Sequence, residues 1–175
     1  MRIALTGVPC VGKSTVAKVL RKRSYRVVNL NILAERHNFI KGYDRARNCK
    51  IVDLKKLEAL IEQKFSQKKI FLVSHFAHLL NNDITIILRC SPKELKKRLV
   101  RKGYSRRKVI ENLEAEALGV ITLESVHRNK NTYEIDSTKL DKEEIANKII
   151  LITEGKGKCY EAGKIDWSEE ILEWY

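Results

Sequence analysis

Short apolar runs recur along this chain, and each is followed by a turn and then by apolar residues spaced three and four apart. Ile3-Ala4-Leu5-Thr6, Val27-Val28, Ile70-Phe71-Leu72-Val73 and the run from Ile84 to Leu88 have few polar interruptions. Such continuous runs suit parallel strands buried on both faces. Residues 132 to 136 alternate instead and read as a fifth strand. Between the strands the period lengthens to that of a helix: residues 13 to 23, with Val16, Val19 and Leu20; a helix capped by Asn31 and running to about 37; a helix capped by Asp53, with Leu54, Leu57, Leu60, Ile61 and Phe65 on one face. Ser91-Pro92 opens another, with Pro at the first helical position. Residues 106 to about 128 and 142 to about 152 complete the set, and the amphipathic stretch 167 to 175 reads as a terminal helix. The alternation predicts a single α/β domain over residues 1 to 175, with a five-stranded parallel sheet flanked by helices.

Chemistry enters between the first strand and the first helix. Gly7-Val8-Pro9-Cys10-Val11-Gly12-Lys13-Ser14 has P-loop spacing in the strand-loop-helix setting that gives the motif its mechanism. Backbone N–H groups and the helix N-terminus would cradle phosphate, Lys13 would bridge the β- and γ-phosphates, and Ser14 would offer its hydroxyl to Mg²⁺. The fold class is therefore a P-loop NTPase.

Composition narrows the picture further. No apolar stretch approaches the roughly 20 residues of a membrane span, and residues 1 to 6 lack the regions of a secretory signal, so the reading is cytosolic. Cys10, Cys49, Cys90 and Cys159 are widely separated, with no C-x-x-C pair. Cys10 reads as a small loop filler or, within a phosphate loop, as an oxidisable thiol. Thirty-five Lys and Arg against 22 Asp and Glu leave a formal charge of +13. That bias fits an anionic partner such as a ribonucleoprotein surface, or a Lys- and Glu-rich surface of the thermophilic kind.

The charge is uneven. Residues 41 to 50 form a polar, cationic insert expected to be a loop, where a kinase could hold a second phosphate-bearing substrate. Residues 93 to 108 carry nine cations and one acid, Glu94. Arg106, Arg107 and Lys108 in the first turn of a helix oppose its dipole, so a lid over polyphosphate explains them better than helix electrostatics. His75 stands beyond the third strand, where P-loop enzymes usually carry an acid; it reads as a general base, a water-positioning group or a structural histidine. His78 reads as part of the following helix or loop. Lys139, in the turn after the fifth strand, could pack on a base or ribose. Residues 155 to 158 read as a flexible junction to a tail in which residues 161 to 173 hold five acids and one lysine, with both tryptophans, Trp167 and Trp174, in its last segment.

Gly7 to Thr15, Asn29-Leu30-Asn31, Gly42-Tyr43-Asp44, Asp53, Arg98-Leu99, Lys102-Gly103-Tyr104, Glu111-Asn112-Leu113-Glu114 and Glu134-Ile135-Asp136 together resemble the adenylate kinase isoenzyme six family, which includes the coilin-interacting nuclear ATPase and archaeal relatives. The resemblance spans residues 1 to about 152. It implies a monophosphate-binding segment at about 29 to 52 and a lid at about 101 to 111. It implies ATP held by Cys10, Gly12, Lys13, Ser14, Thr15, Lys102 and Lys139, AMP held by Asn31 and Arg36, and catalytic roles for Lys13, His75 and Arg98. The implied activities are phosphoryl transfer from Mg-ATP to AMP and ATP hydrolysis. The implied setting is small ribosomal subunit maturation, with the eleventh universal small-subunit protein as partner and contact with pre-ribosomal RNA. The alternative output is an ATP-dependent assembly factor with little kinase turnover. This chain departs from the family pattern at Cys10, usually Gly; at Lys102, usually Arg; at Val73, where the family's Asp-x-His has its acid; and at Arg36, one position from the family's arginine.

Overall fold

The computed structural model describes residues 1–45, 49–65 and 69–172. Its centre is a five-stranded parallel sheet of β1 (Arg2–Thr6), β2 (Val27–Asn29), β5 (Ile70–Val73), β6 (Ile84–Arg89) and β7 (Thr132–Asp136), ordered β2-β5-β1-β6-β7. The pleat divides each central strand between two cores. Ile3, Leu5, Phe71 and Val73 face one, with α1 (Lys13–Lys22) and α7 (Lys142–Thr153). Ala4, Ile70 and Leu72 face the other, with α2 (Leu30–Arg36) and α3 (Leu54–Phe65). Burial on both faces is why these strands read as unbroken apolar runs.

Several local expectations change. The cap of α2 is Asn29, whose side chain accepts from the Asn31 and Ile32 amides, so Asn31 lies inside the helix. The expected loop at 41 to 50 is an antiparallel hairpin of β3 (Ile40–Asp44) and β4 (Cys49–Val52), which pair Ile40 with Val52 and Tyr43 with Lys50. Backbone pairing and the apolar ends Ile40 and Val52, packed on the second core, outweigh the cationic side chains that disguised the strands. Residues 46 to 48, including Arg47 of the basic insert, lie outside the described residues.

Ser91 caps α4 (Pro92–Arg101) through its side chain, as the sequence suggests. The expected helix from 106 to 128 is two, α5 (Arg106–Ala117) and α6 (Val120–Arg128), because Gly119 takes the left-handed conformation at φ 60° and turns the chain. Residues 155 to 158 are not a loose junction. Gly157 packs so closely on Tyr133 that a Cβ there would lie 2.6 Å from the ring. The tail then runs along the open edge of β7, where Ala162 N donates to Thr132 O, and ends in the short α8 (Ser168–Leu172). The last three residues of the expected terminal helix, including Trp174, are outside the described residues.

Candidate active site

The phosphate loop leaves β1 at Gly7, whose φ of 132° and 2.4 Å approach of a would-be Cβ to Leu88 O admit only glycine. Gly12, φ 107°, caps α1 without a side-chain bond, leaving the first helical N–H groups for an anion. Lys13 folds back so that Nζ donates to Gly7 O (2.6 Å) and Val8 O (2.7 Å). Desolvation pulls its ammonium down to about 8. Cys10 holds φ 67°, a left-handed conformation that a family glycine takes freely. Partial burial raises its thiol pKa against the lowering fields of Lys13, Lys102 and Arg98, which favours the loop-filler reading over a reactive thiolate.

The loop forms one wall of a cleft of about 560 Å³. Cys10, Gly12, Lys13, Ser14, Thr15, Asn31, His75, Arg98 and Lys102 all line it. Arg36 does not; it is exposed in the last turn of α2. Lys139 also lies elsewhere, in a second cavity of about 620 Å³ between the β7–α7 turn and the tail. Arg98 is held by Glu94 at 3.1 Å and donates from Nη2 to Ser137 O (3.2 Å) and Thr138 O (2.9 Å), so α4 carries it to the cleft edge. Ser137 fixes that edge to the phosphate loop, its Oγ lying 2.8 Å from Val11 O and 2.7 Å from Arg89 O.

His75 is exposed to the cleft, edge-on to Phe76 with ring centroids 5.1 Å apart. Desolvation by the cleft wall, then the charges of Lys13 and His78, pull its imidazole down to about 4. At neutral pH it is therefore an uncharged ring, able to accept or donate one hydrogen bond. No carboxylate lines the cleft among the described residues, and no cluster of His, Cys, Asp and Glu there could hold a metal. Mg²⁺ keeps several waters and is commonly held by substrate phosphates, so the exposed Ser14 hydroxyl suits an ion that arrives with the nucleotide.

Pro9, Asn29, Val73, Ser74, Arg101 and Tyr104 complete the lining; the sequence places Ser74 beside His75 at the end of the third strand and Asn29, Arg101 and Tyr104 within the segments of the family resemblance, but assigns none of them a contact of its own. Sequence reasoning missed a buried cluster beside the cleft. Arg89, at the end of β6, donates to Glu116 Oε1 of α5 (2.6 Å), Glu134 Oε1 of β7 (2.6 Å) and Thr122 Oγ1 of α6 (3.1 Å). Trp167 Nε1 adds a bond to Glu116 Oε1 at 3.2 Å, and Gly163 N one to Glu134 Oε2 at 2.9 Å. The available signal was a lone arginine ending an apolar strand while its neighbour β7 carries a glutamate.

Residues 3–119 match the AAA domain family. A protein of Methanocaldococcus jannaschii named "Putative adenylate kinase" is 39% identical over 99% of this chain and 97% of its own length. A protein of the same name from Archaeoglobus fulgidus is 39% identical over 98% of this chain and 94% of its own length. Among solved structures, a gluconokinase from Sinorhizobium meliloti superposes with TM-score 0.58 at 16% identity, covering 90% of this chain and 93% of that one. A shikimate kinase from Bacteroides thetaiotaomicron gives 0.56 at 16% identity, covering 88% and 98%. These two speak to the fold, which is that of P-loop kinases, and the sequence relatives speak to descent. The chain belongs to the adenylate kinase-like family of P-loop NTPases.

Proposed function

We propose that this protein transfers the γ-phosphoryl group of Mg-ATP to AMP and hydrolyses ATP slowly when no monophosphate is present. The carrying observation is the make-up of the cleft at the phosphate loop, which brings Lys13, Asn31, His75, Arg98, Arg101 and Lys102 together in its lining. Phosphoryl transfer needs little covalent chemistry from the protein, so positioning and neutralisation of charge can supply most of the rate. Lys13 would exchange its two loop carbonyls for phosphate oxygens, and Arg98 and Lys102 would meet the charge that develops on the transferred group. Ser14 would take one position on the Mg²⁺ that the nucleotide brings. A histidine titrating at about 4 is a weak base at neutral pH, so His75 would orient a water or the acceptor phosphate rather than strip a proton. Slow hydrolysis beside faster transfer to AMP follows from that weakness.

The test is ADP formation by the purified protein with ATP alone and with ATP plus AMP, beside a Lys13→Met control. Strong stimulation by AMP supports the reading; a rate indifferent to AMP and to Lys13 removes it.

A second reading, an ATP-dependent assembly factor in small-subunit maturation, draws on the exposed apolar residues Leu118, Leu123 and Val126 at and beyond the α5–α6 turn. The acidic tail is partly used within the fold: Glu170 accepts from Ser91 Oγ (3.1 Å) and Lys93 N (3.0 Å). A chain of charge +13 repels a basic ribosomal protein and attracts RNA. Nucleotide-sensitive co-purification of the eleventh universal small-subunit protein or of rRNA tests it, and absence of both argues against it.

A further inference from the structure

Behind the cleft, a chain of hydrogen-bonding groups connects α6 to the backbone of His75. Thr6, the last residue of β1, is fully buried. Its Oγ1 lies 3.2 Å from His75 O and 3.1 Å from His78 Nδ1. His78 is 3% exposed, and its Nε2 lies 2.8 Å from Glu124 Oε2 on α6. Proton counting makes these three contacts informative. Thr6 has one hydroxyl hydrogen. If Nε2–H donates to the Glu124 carboxylate and His78 is neutral, Nδ1 is a bare acceptor and takes the Thr6 hydrogen, so His75 O receives nothing. If His78 is an imidazolium, Nδ1–H donates to Thr6 Oγ1, and the hydroxyl turns to His75 O. All three contacts become hydrogen bonds together only when the His78–Glu124 pair holds two protons.

We propose that Thr6, His78 and Glu124 form a proton-linked latch in which protonation of His78 turns the Thr6 hydroxyl onto the His75 carbonyl and fixes His75 in the cleft. His78 and Thr6 are thus positioning residues acting through His75. The groups facing His78 are Glu124, whose hydrogen bond and charge favour the imidazolium, and Arg128 on the same helix, which opposes it. His75 faces it from its own turn, and from β1 comes the uncharged Thr6. Burial is the largest influence and holds His78 below its ordinary value, so the latch is open near neutrality in the free protein. Phosphates bound in the cleft carry negative charge toward the imidazole and favour its proton, so nucleotide binding closes the latch.

NMR of the unliganded protein tests this without reference to turnover. The carbonyl carbon shift of His75 is followed against pH together with the ring nitrogens of His75 and His78. The carbonyl should move with the His78 ring in the wild type. Glu124→Gln should lower both midpoints together by about one unit, because a neighbouring opposite charge is lost. Thr6→Val should leave the His78 titration in place and remove the carbonyl's response to it, and Mg-ATP should raise the His78 midpoint. A carbonyl that ignores His78 in the wild type, or still follows it in Thr6→Val, overturns the latch. The kinetic arm rests on the kinase reading: kcat should fall about tenfold in Thr6→Val with KM for ATP within about twofold, the mark of misplacement rather than lost binding. A carbonyl that obeys His78 in a protein without turnover would keep the latch and fail the kinase.

Discussion

The carboxyl ends of β1 and β6, adjacent strands of one sheet, carry two groups of polar side chains that are satisfied in opposite ways. Beyond β1, the helix N-terminus has no side-chain cap, Lys13 is bonded among the described residues only to loop carbonyls, and Cys10 sits in a conformation that costs energy. Beyond β6, Arg89 is ringed by Glu116, Glu134, Thr122 and the carbonyl of Glu116, with Trp167 closing over one carboxylate. The first group leaves its bonding capacity for a ligand. The second spends its capacity on holding α5, α6, β7 and the tail to the sheet. Paired charge buried in this way defines structure, and unpaired charge at a cleft defines a site.

Removing one partner from each group should separate the two roles. The largest effect expected is that of Arg89→Met, which strands two carboxylates among α5, α6 and β7. Glu116 is already pushed above the ordinary carboxylate range by burial and restrained by Arg89. Loss of a buried partner costs about 3–5 kcal/mol. Urea denaturation should show it as a lower midpoint, and an unfolding free energy within about 0.5 kcal/mol of wild type would make the cluster energetically idle.

Lys13→Met should do the reverse. ADP formation should fall about 10²–10³-fold, the scale for losing one preorganised group at the developing charge. Stability should hold or rise slightly, because burial disfavours the Lys13 ammonium and the native fold carries that cost at neutral pH. Parallel assays of turnover and urea midpoint decide it. A variant that loses both would place Lys13 with Arg89 among the structural charges.

The same contrast explains what was legible in the sequence. The phosphate loop is local, its glycines, lysine and serine lie within eight residues, and the apolar runs around it fix strand and helix. Arg89 and Glu116 are 27 residues apart and Arg89 and Glu134 45 apart, and nothing local in either segment names the partner. The break at Gly119 was hidden because Leu118, Val120 and Ile121 continue the helical period across it. The hairpin at β3 and β4 was hidden by Lys41 and Lys50, whose exposure in a two-stranded ribbon costs nothing. Arg36 failed to reach the cleft because the cap falls at Asn29, and the helix begun there turns it out to solvent.

A smaller test uses acid. His75 titrates at about 4 in the fold against 6.5 when unfolded, so between those values the unfolded chain binds more protons. Stability should therefore fall as pH drops from about 6.5 to about 4, and His78, also lowered, adds in the same direction. Because His75 is exposed to the cleft, its share is screened and should stay near about 1 kcal/mol. Urea midpoints at several pH values, repeated for His75→Asn, read that share as the difference between the two slopes; equal slopes would mean that the cleft does not hold the ring neutral.

The smallest effect belongs to Cys10. A side chain at φ 67° costs about 1 kcal/mol or more, which Gly would release. Gly also frees the unfolded chain by about 0.4–1 kcal/mol and gives up the packing of the thiol on the core beneath it. The two nearly cancel, so Cys10→Gly should change stability by less than about 1 kcal/mol. Cys10→Ala keeps the strain and loses the packing, and should be the less stable of the two. If strain at this residue limits how closely the loop can follow phosphate, KM for ATP should fall in Cys10→Gly and stay put in Cys10→Ala. Equal KM values in both variants would mean that the loop's fit to phosphate is set by Gly7 and Gly12, and that Cys10 is strained without consequence for the ligand.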